Sequence, residues 1–382
     1  MKIFYFLIFL QTIFWFDKAS AQTDSTLADS LLLEQIQNQI QPEPTLAPVR
    51  SAPSANPDIS VIGDLGGSYE SNRNRKFDAN LNETEISFQS VIDPYARADF
   101  FVAISRDPST GEFKTEIEEG YLTTLSLPGH LQLKAGKFKQ ALGRINPIHP
   151  HALPFTDMPN AFVRFFGDEG MNDEGAQLSW LLPNHAFFQE LTLELTDGPM
   201  ESPSFARSPG NKYLKLAHLK NFWDLSANST LELGFSGISG VNSTDHTTNI
   251  GAVDLTFKWK PVKFNTYKSF TFQNELYYSH ATFDSTSVKS IGLYSMLSFQ
   301  FAKRWFITAR YDYTNLPESA QFVEQAGSVT IGWYATEFQK IELQGKYTTA
   351  NQEDIENNFE KNFSQIFLRW IFIIGSHGAH QY

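Results

Sequence analysis

The sequence predicts an all-β fold, a transmembrane antiparallel β-barrel of about sixteen strands, and three observations predict it. Ala96, Ala98, Phe100, Val102 and Ile104 alternate with Arg97, Asp99, Phe101, Ala103 and Ser105, and segments of the same period recur to the end of the chain. Aromatic residues make up 14% of the 382 residues, with 34 Phe, 14 Tyr and 7 Trp, although the mean hydropathy is only -0.29. Beyond the first residues no apolar run approaches the roughly eighteen that a membrane-spanning helix needs. A barrel reconciles these facts, because its strands alternate lipid-facing apolar with lumen-facing polar residues and its interfaces carry aromatic girdles.

In chain order, residues 1–21 read as a secretory signal peptide. Lys2 supplies the positive start, 3–16 the apolar stretch, and Ala19-Ser20-Ala21 the small-residue cleavage site. Residues 22–58 form a separate segment. Leu33, Ile36 and Ile40 stand at helical spacing, in a helix that could be amphipathic or coiled-coil, and 41–57 is a linker rich in Pro, Ala and Ser. The barrel occupies 59–382. Its first half is predicted at 59–69, 83–92, 96–105, 115–125, 131–138, 176–182, 188–196 and 213–221. The second half follows at 229–235, 250–259, 270–279, 291–301, 305–313, 327–334, 341–348 and 363–375. Short turns at 93–95, 126–130, 183–185, 302–304 and 336–338 alternate with longer links at 70–82, 197–212, 237–248 and 349–362. Short periplasmic turns and longer external loops would put the amino terminus in the periplasm.

Composition narrows the chemistry. The net charge is -12, and the residues after the signal peptide carry about -13 because Lys2, Lys18 and Asp17 go with it, which argues against nucleic acid as a partner. With 0 Cys there is no disulfide, thiolate site or Cys nucleophile. No G-x-S-x-G elbow is present, and the His residues are scattered singly, so the expectation is no enzymatic activity.

One connection is long. Residues 142–175 run LGRINPIHPHALPFTDMPNAFVRFFGDEGMNDEG, and a loop of such length in a compact fold is usually functional or disordered. Its Phe and Pro content favours order. Folded into the lumen, it would build a pore constriction from Arg144, Asp157, Arg164, Asp168 and Glu169 facing Arg97, Glu118, Lys134 and Arg369 on the wall, where opposed charges screen solutes by size and charge. The alternative is a loop that only caps the barrel mouth. His149 and His151 flank Pro150, and with Asp157 they form a candidate zinc site of imidazoles and a carboxylate; otherwise no cofactor is expected. His377 and His380 are assigned to the periplasmic rim.

The stretches LQLKAGKFKQALGRINPIHPHALPF (131–155), DPYARADFF (93–101) and IGSHGAHQY (374–382) resemble a family of outer-membrane proteins in the porin superfamily, related to the phosphate-selective porins. Members of that family are sometimes described as zinc-regulated TonB-dependent receptors. The closing aromatic, Tyr382, resembles the assembly signal of bacterial outer-membrane barrels. The resemblance implies a bacterial outer-membrane location, contact with outer-membrane lipid, a homotrimer, and passive diffusion of small hydrophilic solutes or ions. Its zinc link implies metal-dependent expression or function. The chain departs from phosphate-selective porins in lacking a dense ladder of lumen-facing Arg, and from the receptors in having too few strands for a 22-stranded plugged barrel. Two other readings stand beside the channel: a zinc-linked uptake or metal-binding protein, and a non-conducting structural or adhesive barrel.

Overall fold

Alternation along the strands becomes two faces of one closed sheet. The computed structural model describes residues 57–71, 77–106, 111–184, 186–199, 202–208, 210, 212–264, 267–284, 286–352 and 361–375. The stretch read as a signal peptide, the segment before residue 57 and the last residues, with His377, His380 and Tyr382, lie outside the described residues.

The strands are β1 (Asp58–Glu70), β2 (Phe77–Asp93), β3 (Ala96–Arg106), β4 (Phe113–Thr124), β5 (Leu131–Lys139), β6 (Asn172–Leu181), β7 (Phe188–Thr196) and β8 (Leu214–Ser226). They continue as β9 (Ser229–Val241), β10 (Thr247–Trp259), β11 (Ser269–Phe283), β12 (Thr286–Ala302), β13 (Trp305–Leu316), β14 (Ser319–Thr336), β15 (Gln339–Ala350) and β16 (Asn362–Gly375). Each pairs antiparallel with its sequence neighbours, and β1 pairs β16 from Ser60↔Gly375 to Glu70↔Gln365, which closes the barrel. Closure leaves no sheet edge and satisfies the backbone groups that lipid cannot.

Side chains follow the period of two. On β3, Phe100 is exposed to the outside, whereas Asp99, Phe101 and Ala103 are buried on the lumen side. The outer face carries Leu276, Ile291, Leu297, Ile307, Val329, Leu343 and Leu368, all exposed. Near one rim Trp305 stacks on its cross-strand partner Trp333 with ring centroids 6.1 Å apart, and Phe306 meets Tyr334 at 5.0 Å, as an aromatic girdle would.

Every predicted strand has its counterpart, but the regular alternation of short and long connections does not hold throughout. The expected long link at 237–248 shrinks because β9 runs to Val241 and β10 starts at Thr247. Only two residues join β11 to β12 and β13 to β14, and the opposite rim holds a long connection between β10 and β11. The outstanding connection is the one between β5 and β6.

Candidate functional site

Residues 140–171 fold inward. Pro147, Pro150, Pro154 and Pro159 remove backbone donors at intervals, so neither a strand nor a long helix can run through the segment. What forms is a 3-10 turn at Pro150–Ala152 and one helix, α1 (Asn160–Phe166), which starts after Pro159 and stops at Gly167 with φ 89°. Helix α1 presents Phe162, Phe165 and Phe166 on one side, at the i, i+3 and i+4 positions. Together with Leu142, Ile145 and Phe155 they are at most 1% exposed, in one apolar cluster with wall residues Tyr277, Tyr294 and Met296. Phe165 fits because the inward position opposite it on β12 is Gly292, where a Cβ would stand 2.9 Å from the ring.

A buried loop must place its polar backbone somewhere, and here the barrel wall receives it. The N–H of Ala141 donates to Glu194 on β7, that of Gly143 to Ser236 on β9, and those of Arg144 and Ile145 to Glu275 on β11 at 3.1 and 2.7 Å. Tyr277 and Tyr294 also donate to Glu275, each at 2.7 Å. Further along, Lys340 on β15 donates to the carbonyls of His151 and Leu153, and Arg369 on β16 to those of Pro150 and Phe155. Asp157 accepts from Arg310 on β13 at 2.9 Å and from Lys346 and Gln344 on β15. Burial alone would raise the Asp157 pKa, but Arg310 and Lys346 hold it well below the usual carboxylate range. From α1, Arg164 pairs with Glu324 on β14 at 2.7 Å, and Asn160 donates to the same carboxylate.

On the opposite side the loop meets β2, β3 and β4. The register between β3 and β4 slips so that Phe101 pairs Glu119 and Val102 pairs Ile117, leaving Glu118 as the extra residue of a β-bulge. A bulge breaks the alternation, so the consecutive residues Glu118 and Glu119 both turn inward and are 4% and 5% exposed. His149 lies against them. Its Nε2 is 2.8 Å from Glu119 Oε1, and its Nδ1 is 2.9 Å from Glu85 Oε2 and 3.5 Å from Glu118 Oε2. His151 Nδ1 is 3.6 Å from the same Glu85 oxygen. Burial pushes His149 toward the neutral form, but its hydrogen bonds to Glu118, Glu119 and Glu85 outweigh that and raise its pKa well above the ordinary imidazole value. Phe101 packs on the His149 ring at 5.0 Å, and Lys139 pairs with Glu118 Oε1 at 2.9 Å.

The residues expected to form the constriction therefore divide. Arg144, Asp157 and Arg164 of the loop, and Glu118 and Arg369 of the wall, meet at loop-to-wall contacts; Arg144 pairs with Glu232 at 3.5 Å. Each of these charges is paired with a side chain outside the expected set: Asp157 with Arg310 and Lys346, Arg164 with Glu324, Glu118 with Lys139, and Arg369 with Asp64. Asp168 and Glu169 are exposed beyond the helix. Arg97 pairs with Asp99, and Lys134 lies over the Tyr121 ring at 4.5 Å, both on the wall. Of the expected zinc set, His149 and His151 lie together, whereas Asp157 is held apart by β13 and β15, and the carboxylate beside the two imidazoles is that of Glu85. Glu85, Glu119, Glu275, Arg310, Lys340 and Lys346 were missed. Their signal was charge at inward positions of the alternation, which for Glu119 the bulge hides.

No protein-family model matches the chain. It is 28% identical over 356 residues to an uncharacterised protein of Aquifex aeolicus (strain VF5), covering 83% of this chain and 73% of that one. Among solved structures, its fold is similar to the anion-selective porin from Comamonas acidovorans, with a TM-score of 0.58 and 9% identity over 83% of this chain and 98% of that one. The outer membrane channel DcaP of Acinetobacter baumannii gives 0.56 and 9%, covering 84% and 98%. The trimer form of in-vitro folded OmpT, an outer membrane protein of Vibrio cholerae, gives 0.54 and 6%, covering 83% and 99%. What the likeness shows is the fold, a closed antiparallel barrel of sixteen strands.

Proposed function

We propose that this chain is a porin-like channel of the bacterial outer membrane through which small hydrophilic solutes or ions diffuse, with a lumen narrowed by residues 140–171. The observation that carries this reading is the position of that loop, seated inside a closed sixteen-strand barrel and bonded to its wall. Acidic side chains outnumber basic ones in the chain, 42 to 30, which favours a mild preference for cations. Kinship with the phosphate-selective porins rests on the stretches at 131–155, 93–101 and 374–382, and phosphate is not the solute proposed. A homotrimer is proposed by analogy with the trimer form of the Vibrio cholerae barrel.

A second reading has its own support. The apolar cluster of Leu142, Phe155, Phe162, Phe165 and Phe166 stands within the lumen, and such a cluster excludes water. A barrel sealed at rest, structural or opened only when the loop moves, fits that feature. Planar-bilayer conductance under a salt gradient separates the two. Stable open steps in the native protein support the channel, and deleting residues 154–161 is expected to enlarge them several-fold. Silence from folded native protein, with steps appearing only after the deletion, selects the sealed barrel. Unchanged conductance in the deletion variant rejects the loop as the constriction.

A further inference from the structure

We propose that Glu85, Glu118, His149 and His151 form a binding site for one divalent transition cation of the zinc class, which ties the lumen loop to strands β2 and β4. Two imidazoles and two carboxylates are a donor set that zinc accepts. Tetrahedral ligands about 2.1 Å from zinc stand about 3.4 Å from one another. The relevant separations here are 2.9 Å from His149 Nδ1 to Glu85 Oε2, 3.5 Å from that nitrogen to Glu118 Oε2, and 3.6 Å from His151 Nδ1 to Glu85 Oε2. The donor atoms of Glu85, His149 and His151 all lie within 4.8 Å of one another, and Glu118 joins them through His149.

Three independent features point the same way. Glu85 is 1% exposed; its Oε1 has no hydrogen-bond partner among the described residues, and its Oε2 and Glu118 Oε2 meet imidazole nitrogen, at 2.9 and 3.5 Å from His149 Nδ1. A buried carboxylate left so is costly unless something charged meets it. Glu119 lies on the far side of His149, 2.8 Å from Nε2, and itself accepts the backbone N–H of Lys139. That is the outer carboxylate that orients a ligating imidazole and leaves the other nitrogen for the metal. Lys139 occupies Glu118 Oε1 at 2.9 Å, and Oε2 faces His149 Nδ1 at 3.5 Å. The site draws its imidazoles from the loop and its carboxylates from the wall, so a bound ion cross-links the two.

The test is isothermal titration of Zn²⁺ into full-length, untagged protein in detergent after dialysis against EDTA, with metal counted by mass spectrometry. Heat-modifiable mobility on gels verifies that each variant is folded. One zinc per chain is expected, with saturable binding lost in His151→Ala and in Glu85→Gln. Glu119→Gln should weaken binding by roughly 10–100-fold while keeping the stoichiometry. Co²⁺ in place of Zn²⁺ should give the intense visible bands of a tetrahedral centre. Absence of saturable binding to folded native protein, or equal binding in His151→Ala and Glu85→Gln, overturns the proposal. Neither readout depends on conductance, so the metal site and the channel fail or stand separately.

Discussion

At the scale of single residues, the loop is held by charges that would be expensive to strand. Arg310 is fully buried and divides its guanidinium between Asp157 and Asp312, and Lys346 adds a second cation to Asp157. Removing one member of such a group leaves an uncompensated buried charge, at a cost of roughly 3–5 kcal/mol. Asp157→Asn is therefore expected to lower the urea midpoint of loop unseating, followed by proteolysis of residues 140–171, while the barrel stays heat-resistant. The pH dependence has a fixed sign. Because Arg310 and Lys346 depress the Asp157 pKa, its contribution is complete above the ordinary aspartate value of about 3.9 and disappears only as the pH falls below it. Proteolytic resistance of the native loop should accordingly be flat from neutral pH to about 4 and decline only in stronger acid. Asp157→Asn should remove that acid step. A midpoint near neutrality in the native protein would place the control elsewhere.

At the scale of elements, α1 is too short to be stable alone and exists because its aromatic face finds a seat. Burying Phe165 and Phe166 against Tyr277, at ring separations of 5.8 and 5.2 Å, contributes roughly 1.5–3 kcal/mol for each side chain. The seat depends on Gly292, since a Cβ there would press on Phe165. Gly292→Leu is thus expected to expel the helix and loosen the loop while leaving β12 paired, because Leu suits a strand. Increased protease cleavage within 160–166 is the readout, and unchanged protection would show that the helix has another anchor. The strands were legible because lipid outside and packed polar side chains inside impose opposite demands on neighbouring residues, as Asp99 and Phe100 display. Their ends were not. Residues 319–326 and 236–241 are polar or Gly-rich and lack the apolar outward face that marks a strand in the bilayer, yet they continue β14 and β9. Loop 140–171 was found by length, and His149 and His151 by their spacing. Glu85 and Glu119 escaped notice because a cluster joined between wall and loop leaves no local spacing, and the bulge at Glu118 reverses the parity that would have turned Glu119 outward.

At the scale of the whole molecule, the loop joins neighbouring strands β5 and β6 but bonds with strands around much of the circumference, from β7 and β9 through β11 to β14, β15 and β16, and back to β2 and β4. An inner brace of this kind can form only if the sheet is closed, because Arg369 on β16 and Glu85 on β2 reach the same loop from either side of β1. The seam between β1 and β16 is accordingly the contact on which the rest depends, and it is also the one with the greatest sequence separation. It can be tested directly because the chain has 0 Cys. Leu65 and Trp370 are paired across the seam and both face outward, 38% and 44% exposed, and cross-strand Cα atoms in an antiparallel sheet stand about 4.5–5.5 Å apart, within disulfide range. The double variant Leu65→Cys and Trp370→Cys is expected to form an intramolecular disulfide under mild oxidation once the barrel has folded, and a much smaller yield in urea. A mispaired control, Leu65→Cys with Leu368→Cys, shifts one partner two residues along the same face and should react less. Equal yields from both pairs, or no bond in folded protein, would mean that the seam has a different register, and the inward brace from Arg369 to the loop would then have to be rebuilt with it.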